Sequence, residues 1–271
     1  MALKAYSIWC AKKNNSRNIH PRRLATIDIL LKKCYNIFYS YINKEGGIIM
    51  KIGIIVASEK ERRPFFEVFG QPDMRHIGLN AYDVSLWKIN SEKYIYLILG
   101  GVGEISSASS TQYLIDNFQV DKIINYGVVG GLTEECSAMK IGIVEKVVHY
   151  GFDISFGSHF KVGEYPKLGM FHAPILSAIP DSAISDLPRF TCASADTIVA
   201  GGEPKRRLRR EFNADICEME AAGIVLTCNR NRIPCTLIKA VSDGVDEDVE
   251  AFDRYVHDAS KACVRLIAKL I

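Results

Sequence analysis

The stretch KIGIIVASEKERRPFFEVF, residues 51–69, decides the fold class. Its first seven residues are a short, continuous run of mostly apolar, β-branched side chains, typical of a strand that is covered on both faces. Ser58 follows where a helix N-cap is expected, and acidic residues occupy the first turn of the helix predicted over 59–69. A buried strand that leads directly into a helix is the repeating unit of an α/β domain.

The same alternation continues along the chain. Residues 155–190 are irregular, with Gly, Ser and Pro spread throughout. Further strands are predicted over 94–99, 122–126, 142–150, 191–195 and 234–241, and helices over 106–118, 219–231 and 254–270. The sequence therefore predicts one three-layer α/β/α domain over residues 50–271, with a central mixed, largely parallel sheet.

Two glycine clusters, at 100–103 and 127–131, follow predicted strands. Ligands of such sheets bind at the carboxyl ends of the strands. Tight turns explain these glycines about as well as ligand contacts do, but two clusters at neighbouring strand ends favour a ligand. The first cluster lacks the full GxGxxG pattern, and no GxxxxGK[ST] motif occurs, so neither a dinucleotide nor any other cofactor is expected.

The first 49 residues differ from the rest of the chain. They hold nine basic and two acidic residues, whereas the remainder holds 25 basic and 29 acidic ones. We expect this basic extension to be poorly packed. The run KEGGIIM at 44–50 back-translates to a purine-rich, ribosome-binding-site-like sequence before a start codon, so one hypothesis is that Met50 is the natural initiator.

Composition excludes several classes of partner. Because the main domain carries no basic excess, nucleic acid is not an expected partner. No apolar run is long enough to span a bilayer, so no membrane partner is expected either. The eight cysteines form no CxxC pair and no cluster with zinc-ligand spacing. We therefore expect no metal and predict buried free thiols in the cytoplasm.

Three acidic positions are the candidates for chemistry: Glu61, the pair Glu218 and Glu220, and Asp243. Each has an ordinary explanation when it is considered alone. Glu61 suits a solvated helix face, the pair suits the positive end of a helix dipole, and Asp243 suits a cap or a turn. Their order along the chain and the segments in which they stand are what favour a chemical role for these positions.

That order resembles the nucleoside phosphorylase and nucleosidase superfamily, and most of all the 5′-methylthioadenosine/S-adenosylhomocysteine nucleosidases. The resemblance runs from about residue 50 to the end of the chain. The segments that carry it are MKIGIIVASEKE at 50–61, GGVGEISSASS at 100–110, IINYGVVGGL at 123–132, SADTIV at 194–199, EMEAAGI at 218–224 and KAVSDGVDED at 239–248.

The resemblance implies hydrolysis of the N-glycosidic bond of an adenine nucleoside, a small-molecule substrate, with water as the nucleophile. Asp243, positioned by Ser242, matches the acid that protonates the purine N7. Glu61 matches the residue that activates water. Two acids with separate roles suit general acid–base catalysis.

The same resemblance implies the substrate contacts. Glu220 would hold the ribose hydroxyls and Met219 would pack against the sugar. The backbone of Val199, beside Ile198, would meet the adenine, and Phe252 would line the pocket of the 5′ substituent. Gly101 and Glu218 are counted with this group, although Glu218 is expected to serve mainly the structure.

Departures from the family pattern keep alternatives open. Gly100 stands in place of a serine, Ile198 in place of an aromatic residue and Lys239 in place of an arginine, and valines replace small residues at 128 and 129. One alternative is a phosphorylase that uses phosphate, and a second is a non-catalytic nucleoside-binding protein. The resemblance also implies a homodimer, to which residues 149–160 are the candidate contribution.

Overall fold

The computed structural model describes residues 49–75, 77, 82–247 and 249–271, without the side chain of Val249. The predictions about the basic extension and about Met50 as initiator therefore concern residues that lie almost entirely outside the described ones. By internal contacts the chain divides into two units, one of residues 1–50 and 89–94, the other of residues 51–88 and 95–271. In the smaller unit the Met50 N–H donates to the Glu92 carbonyl at 2.7 Å. The single domain over 50–271 stays a prediction.

The described strands are β1 (Met50–Val56), β2 (Asp83–Asn90), β3 (Lys93–Leu99), β4 (Lys122–Gly131), β5 (Ile141–His149), β6 (Phe171–His172), β7 (Arg189–Ser194), β8 (Ile216–Glu218) and β9 (Cys235–Asp243). The described α-helices are α1 (Glu59–Phe69), α2 (Glu104–Tyr113), α3 (Glu203–Phe212), α4 (Ala221–Asn231) and α5 (Val249–Leu270). A π-helical turn, Leu114–Phe118, extends α2.

The strands form one mixed sheet, in the order β2-β3-β1-β4-β8-β7-β5-β6, with β9 between β4 and β5. Strand β4 is parallel to β1 and to β9, and β7 is parallel to β5 and to β8. The β5–β9, β5–β6 and β4–β8 pairs are antiparallel. Pairing from β4 through β9, β5, β7 and β8 returns to β4, so these five strands close into a ring. The predicted α/β fold with a mixed sheet is confirmed.

Strand β1 shows how helices cover the sheet. Ile52, Ile54 and Val56 join an apolar cluster with side chains of α1 and α5. The intervening Gly53 faces the other way, where a Cβ atom would lie 3.1 Å from Cδ1 of Leu114. Since successive strand residues point to opposite faces, α1 and α5 lie on one face of β1 and the end of α2 on the other.

Helix α2 meets α4 through small and polar side chains. A Cβ atom on Gly223 of α4 would lie 2.3 Å from the hydroxyl of Ser107 and 2.5 Å from the carbonyl of Glu104. The Ser107 hydroxyl lies 3.0 Å from the carbonyl oxygens of Glu104 and Glu220, either of which is able to accept its proton. This close contact fixes the N-terminus of α2 beside that of α4.

Several elements differ from the sequence prediction. Strand β4 continues through the glycine cluster at 127–131, which was expected to end it, because β8 and β9 supply pairing partners to its last residue. Helix α5 begins at Val249 rather than at 254, and α4 begins at Ala221 rather than at 219. Strands β2 and β8 and helix α3 were not predicted. Among the described residues, no helix is long and apolar enough to cross a membrane.

Candidate active site

A cavity of about 270 Å³ opens at the carboxyl ends of β1, β4, β7, β8 and β9. This is the edge at which open α/β sheets bind their ligands. Nine of the ten residues predicted for the site line this cavity. The exception is Gly101, whose neighbour Val102 lines the wall instead. The lining residues are Ala57, Ser58, Glu61, Val102, Val128, Val129, Gly130, Thr197, Ile198, Val199, Ala200, Cys217, Glu218, Met219, Glu220, Ser242, Asp243 and Phe252.

Glu61 is a buried side chain of α1 and is held from both sides. It belongs to a capping box, in which Oε2 accepts from the N–H of Ser58 at 3.0 Å and from its hydroxyl at 2.9 Å. Oε1 accepts from the Val128 N–H of β4 at 3.1 Å. A Cβ atom on Gly127 would lie 2.6 Å from Oε1, so only glycine at 127 lets the carboxylate reach β4.

Asp243 ends β9 and is also held on both oxygens. Oδ1 accepts from the Ser242 hydroxyl at 2.6 Å, and that hydroxyl also lies 3.3 Å from the Val129 carbonyl. Oδ2 accepts from the ammonium group of Lys205 at 2.5 Å. Because Glu61 contacts β4 at Val128 and Ser242 contacts it at Val129, one segment of β4 positions both predicted catalytic acids.

Lys205 is a site residue that the sequence reading missed. It lies on α3 with its side chain fully buried, at 0% exposure. Its ammonium donates to Asp243 Oδ2 and to the carbonyls of Asp243, at 3.3 Å, and Gly244, at 2.6 Å. The spacing of three residues could have identified it, because Lys205, Leu208 and Phe212 fall on the single buried face of an otherwise basic helix.

Glu218 anchors a buried charge cluster beneath the cavity. Its Oε2 lies 3.0 Å from the ammonium group of Lys239, a side chain that is 2% exposed. Backbone N–H groups of Glu220 and Ala221 donate to it at 3.0–3.1 Å. Burial opposes its charge, but Lys239 and these hydrogen bonds outweigh burial, and the pKa of Glu218 lies below its ordinary value. Glu218 is thus an ionised structural anchor at the cavity wall.

The hydroxyl of Ser194 lies between two carboxyl groups, within hydrogen-bond reach of Glu104 and 2.6 Å from Glu218. A hydroxyl has only one proton to donate. If it donates to the ionised Glu218, then Glu104 must supply the proton of the other hydrogen bond. Burial, followed by the charge of Glu218, raises the pKa of Glu104 to about 8. Glu104 is therefore a neutral acid at pH 7.

Glu220 occupies the position before the first turn of α4. Its Oε1 accepts from the Gly103 N–H at 3.0 Å, which ties it to the N-terminus of α2. Burial and the charge of Glu218 raise the pKa of Glu220 to about 8. A carboxyl group that faces the cavity and readily carries a proton is able both to donate to and to accept from a bound hydroxyl.

Replacing Glu104 with glutamine should flatten the dependence of stability on pH. The folded-state pKa of Glu104 is raised from 4.5 to about 8, so its contribution is full below pH 4.5 and is lost as the pH rises through 8. The wild-type free energy of unfolding should fall between pH 6 and pH 9, by roughly 2 kcal/mol for this group. The side chain of Glu104→Gln is permanently neutral, so the free energy of unfolding of this variant should fall by less over the same pH range. Glu134→Gln, a change at an exposed residue, should behave as wild type. Urea unfolding at both pH values measures this, and an unchanged slope in Glu104→Gln would contradict it.

The remaining predicted substrate residues surround the cavity mouth. Ile198 follows β7 and is 75% exposed, so it offers little enclosure to a base within one chain. Val199 and Met219 are half-buried, and so is Phe252 of α5. Gly101 has a φ of 86° and turns the chain between β3 and α2, which makes it a turn residue beside the cavity rather than part of its lining.

The ionisable carboxyl and amino groups of the cavity lining are all acidic. They belong to Glu61, Glu218, Glu220 and Asp243, and no lysine or arginine is among the described residues that line the cavity. Arg62, next to Glu61, is occupied by ion pairs with Glu59 and Asp83. Within the described part of the chain, no group of three or more His, Cys, Asp or Glu side chains is placed to hold a metal ion.

A sequence model of the phosphorylase superfamily matches residues 51–271. This match covers most of the chain, and the protein belongs to that superfamily, as the sequence motifs predicted. Among its relatives is the 5′-methylthioadenosine/S-adenosylhomocysteine nucleosidase of Buchnera aphidicola subsp. Schizaphis graminum, which is 30% identical over 82% of this chain and 96% of the relative.

A second relative is the aminodeoxyfutalosine nucleosidase of Helicobacter pylori, 26% identical over 83% of this chain and 99% of the relative. The fold is also similar to a crystal structure of the H. pylori 5′-methylthioadenosine/S-adenosyl homocysteine nucleosidase in complex with a substituted pyrrolidine. The two structures superpose with a TM-score of 0.74 and 25% sequence identity, over 82% of this chain and 97% of the H. pylori chain. The predicted enzyme class, a nucleosidase that hydrolyses N-glycosidic bonds, is thereby confirmed.

Proposed function

We propose that the protein hydrolyses the N-glycosidic bond of an adenine nucleoside with a 5′ thioether, such as 5′-methylthioadenosine or S-adenosylhomocysteine, and releases free adenine. The observation that carries this proposal is the pairing of Glu61 and Asp243 in one cavity, each anchored to β4 through a different contact. One acid serves the attacking water and the other serves the leaving base.

Water, rather than phosphate, is the nucleophile that the cavity favours. A phosphate dianion needs cationic side chains or free backbone donors. The charged groups that line the cavity are acidic, and the Arg62 guanidinium is paired with two carboxylates. Glu61 would accept a proton from water as the oxygen attacks the anomeric carbon. The lack of a lysine or arginine among the described lining residues, with a carboxyl group where the nucleophile would bind, argues against the phosphorylase alternative.

Asp243 takes the role of the acid at the base. Cleavage of the N-glycosidic bond is difficult when adenine keeps the bonding electron pair and leaves as an anion. A proton delivered to N7 neutralises that charge, and Asp243, which lines the cavity together with Ser242, is the group in this role. That Glu61 and Asp243 line the same cavity argues against the non-catalytic alternative.

Replacing Glu220 with alanine should weaken binding of the sugar. Glu220 is the side chain proposed to hold the two ribose hydroxyls, and each hydrogen bond to its neutral carboxyl group contributes about 1 kcal/mol. Glu220→Ala should therefore lower kcat/KM by about 30-fold with a ribonucleoside. With the 2′,3′-dideoxy analogue, the variant and wild type should differ by less than threefold. An equal loss with both substrates would assign Glu220 to the fold instead.

The 5′ substituent is the least constrained part of the substrate. Phe252 and Val102 provide apolar contact at the cavity wall, and no cationic side chain lines the cavity to receive a carboxylate. We therefore favour the uncharged methylthio group of 5′-methylthioadenosine over the carboxylate-bearing 5′ groups of S-adenosylhomocysteine and aminodeoxyfutalosine. Initial rates with 5′-methylthioadenosine, S-adenosylhomocysteine, aminodeoxyfutalosine and adenosine, each with and without phosphate, test substrate and nucleophile together. Adenine release from none of them would reject the proposal.

We also propose a homodimer and a cytoplasmic location. Val102 and Ile198, which line the cavity, are exposed apolar side chains, as is Ile105 in the first turn of α2, and a second copy would cover them. Residues 149–160 stay the candidate contribution to the partner's site. The free, buried thiols of the described cysteines suit a reducing compartment. Light scattering of the purified protein should give twice the mass of the chain, and a monomer would contradict the dimer.

A further inference from the structure

The buried ion pair between Lys205 and Asp243 has no role in the scheme above. Helix α3 carries five basic residues, and Lys205 is the one that is buried within it. Burying an ammonium ion is costly, and replacing both members of a buried ion pair with apolar side chains of similar volume is often neutral for stability. Packing alone therefore does not explain a lysine at this position.

The geometry connects Lys205 to the proton of the leaving base. Both oxygens of Asp243 accept hydrogen bonds, Oδ1 from the Ser242 hydroxyl and Oδ2 from the Lys205 ammonium. Asp243 paired in this way is a carboxylate and holds no proton of its own. Of the two donors, an ammonium ion releases a proton far more readily than a serine hydroxyl does. The remaining ammonium protons point to the carbonyls of Asp243 and Gly244.

We propose that Lys205 is the proton source for the reaction and acts through Asp243, a proposal that rests on the nucleosidase function. As the bond between C1′ and N9 breaks, its electron pair moves to adenine. Lys205 transfers a proton to the Asp243 carboxylate, which passes it on to N7, so that Asp243 ends as a carboxylate again and Lys205 as a neutral amine. Water forms the new bond to C1′ and gives its proton to Glu61. After the products leave, solvent that enters the cavity restores the proton to Lys205 through Asp243 and takes the one on Glu61.

Two variants separate this role from support of the fold. Lys205→Met keeps an unbranched side chain one atom shorter and removes its charge and its proton. Lys205→Arg keeps the charge, but a guanidinium does not release a proton in proteins. Arg206→Met is the matched control, because Arg206 is on the same helix and its ion pair with Asp246 is exposed.

Each variant is assayed with two substrates that share the same sugar. One is 5′-methylthioadenosine, whose base needs a proton to leave. The other is the 4-nitrophenyl 5-methylthio-β-D-riboside, whose nitrophenolate leaves as a stable anion without a proton. The ratio of the two rates within one preparation does not depend on how much of that preparation is folded.

We expect both Lys205 variants to lower kcat for the adenine nucleoside by about 100-fold, the scale of general acid catalysis. The nitrophenyl riboside rate should change less than threefold, and Arg206→Met should change neither. Rescue by Lys205→Arg would show a purely electrostatic role and overturn the proposal. So would parallel loss with both substrates, or normal rates with both. Failure of the proposed function itself is distinct, because then the wild-type protein would cleave neither substrate.

Discussion

Replacing Asp243 with asparagine is expected to lower kcat for adenine release by about 1,000-fold, in the middle of the range for general acid catalysis. Asparagine keeps the shape of the side chain and is able to accept from Ser242, but its amide does not take up a proton and pass it to N7. The loss should fall on kcat more than on KM, because the proton is transferred during bond cleavage. Initial rates of adenine release at saturating 5′-methylthioadenosine measure it.

The same substitution should also reduce stability, since it leaves the Lys205 ammonium buried at 0% exposure without its carboxylate. Breaking a buried pair in this way costs about 3–5 kcal/mol. Asp246→Asn is the control, because it removes a carboxylate from an exposed pair with Arg206. Urea unfolding should separate the two variants clearly. A folded Asp243→Asn protein that retains more than a tenth of the wild-type kcat would remove Asp243 from the role of acid.

Replacing Glu61 with glutamine is expected to produce the other large loss, again about 1,000-fold in kcat. Glutamine is a poor base and does not take a proton from the attacking water. It also presents an NH₂ group to donors, since Ser58 donates to one oxygen of Glu61 and Val128 to the other. A mismatched buried donor costs about 1–3 kcal/mol, so a modest loss of stability should accompany the loss of rate.

Glu59→Gln is the matched control for this experiment. Glu59 lies on the same helix, is exposed and pairs with Arg62. Its substitution should change kcat by less than twofold. Addition of azide or formate as a small external nucleophile or base should partly restore turnover to Glu61→Gln if only water activation is lost. A variant with wild-type kcat would show that Glu61 is solely the cap partner of Ser58.

The sequence was sufficient for the elements that are regular and continuous. The run at 51–57 is apolar and β-branched, and Ser58 with Glu61 forms a complete capping box, so β1 and α1 were predicted almost to the residue. The three-residue strand β8 was not predictable, because its pairing with β7 and β4 depends on contacts distant in sequence. The basic composition of α3 concealed a helix whose buried face contains only Lys205, Leu208 and Phe212.

The candidate site was predicted through motifs, while its buried polar network was not. Glu61, Glu220 and Asp243 stand in recognisable segments, and all three line one cavity. Lys205 and Glu104 stand in segments that carry no chemical signature. The partner of Lys205 lies 38 residues away along the chain and that of Glu104 lies 90 residues away. Only the fold therefore reveals that Lys205 pairs with Asp243 and that Glu104 must hold a proton.

The most direct test of the central claim is the fate of oxygen in the sugar product. The protein is incubated with 5′-methylthioadenosine in ¹⁸O-labelled water, with and without inorganic phosphate, and both products are identified by mass spectrometry. We predict free adenine and 5-methylthioribose with one ¹⁸O atom at C1, at a rate that phosphate does not change. A phosphate-dependent reaction that yields 5-methylthioribose 1-phosphate would contradict the assignment of water as the nucleophile.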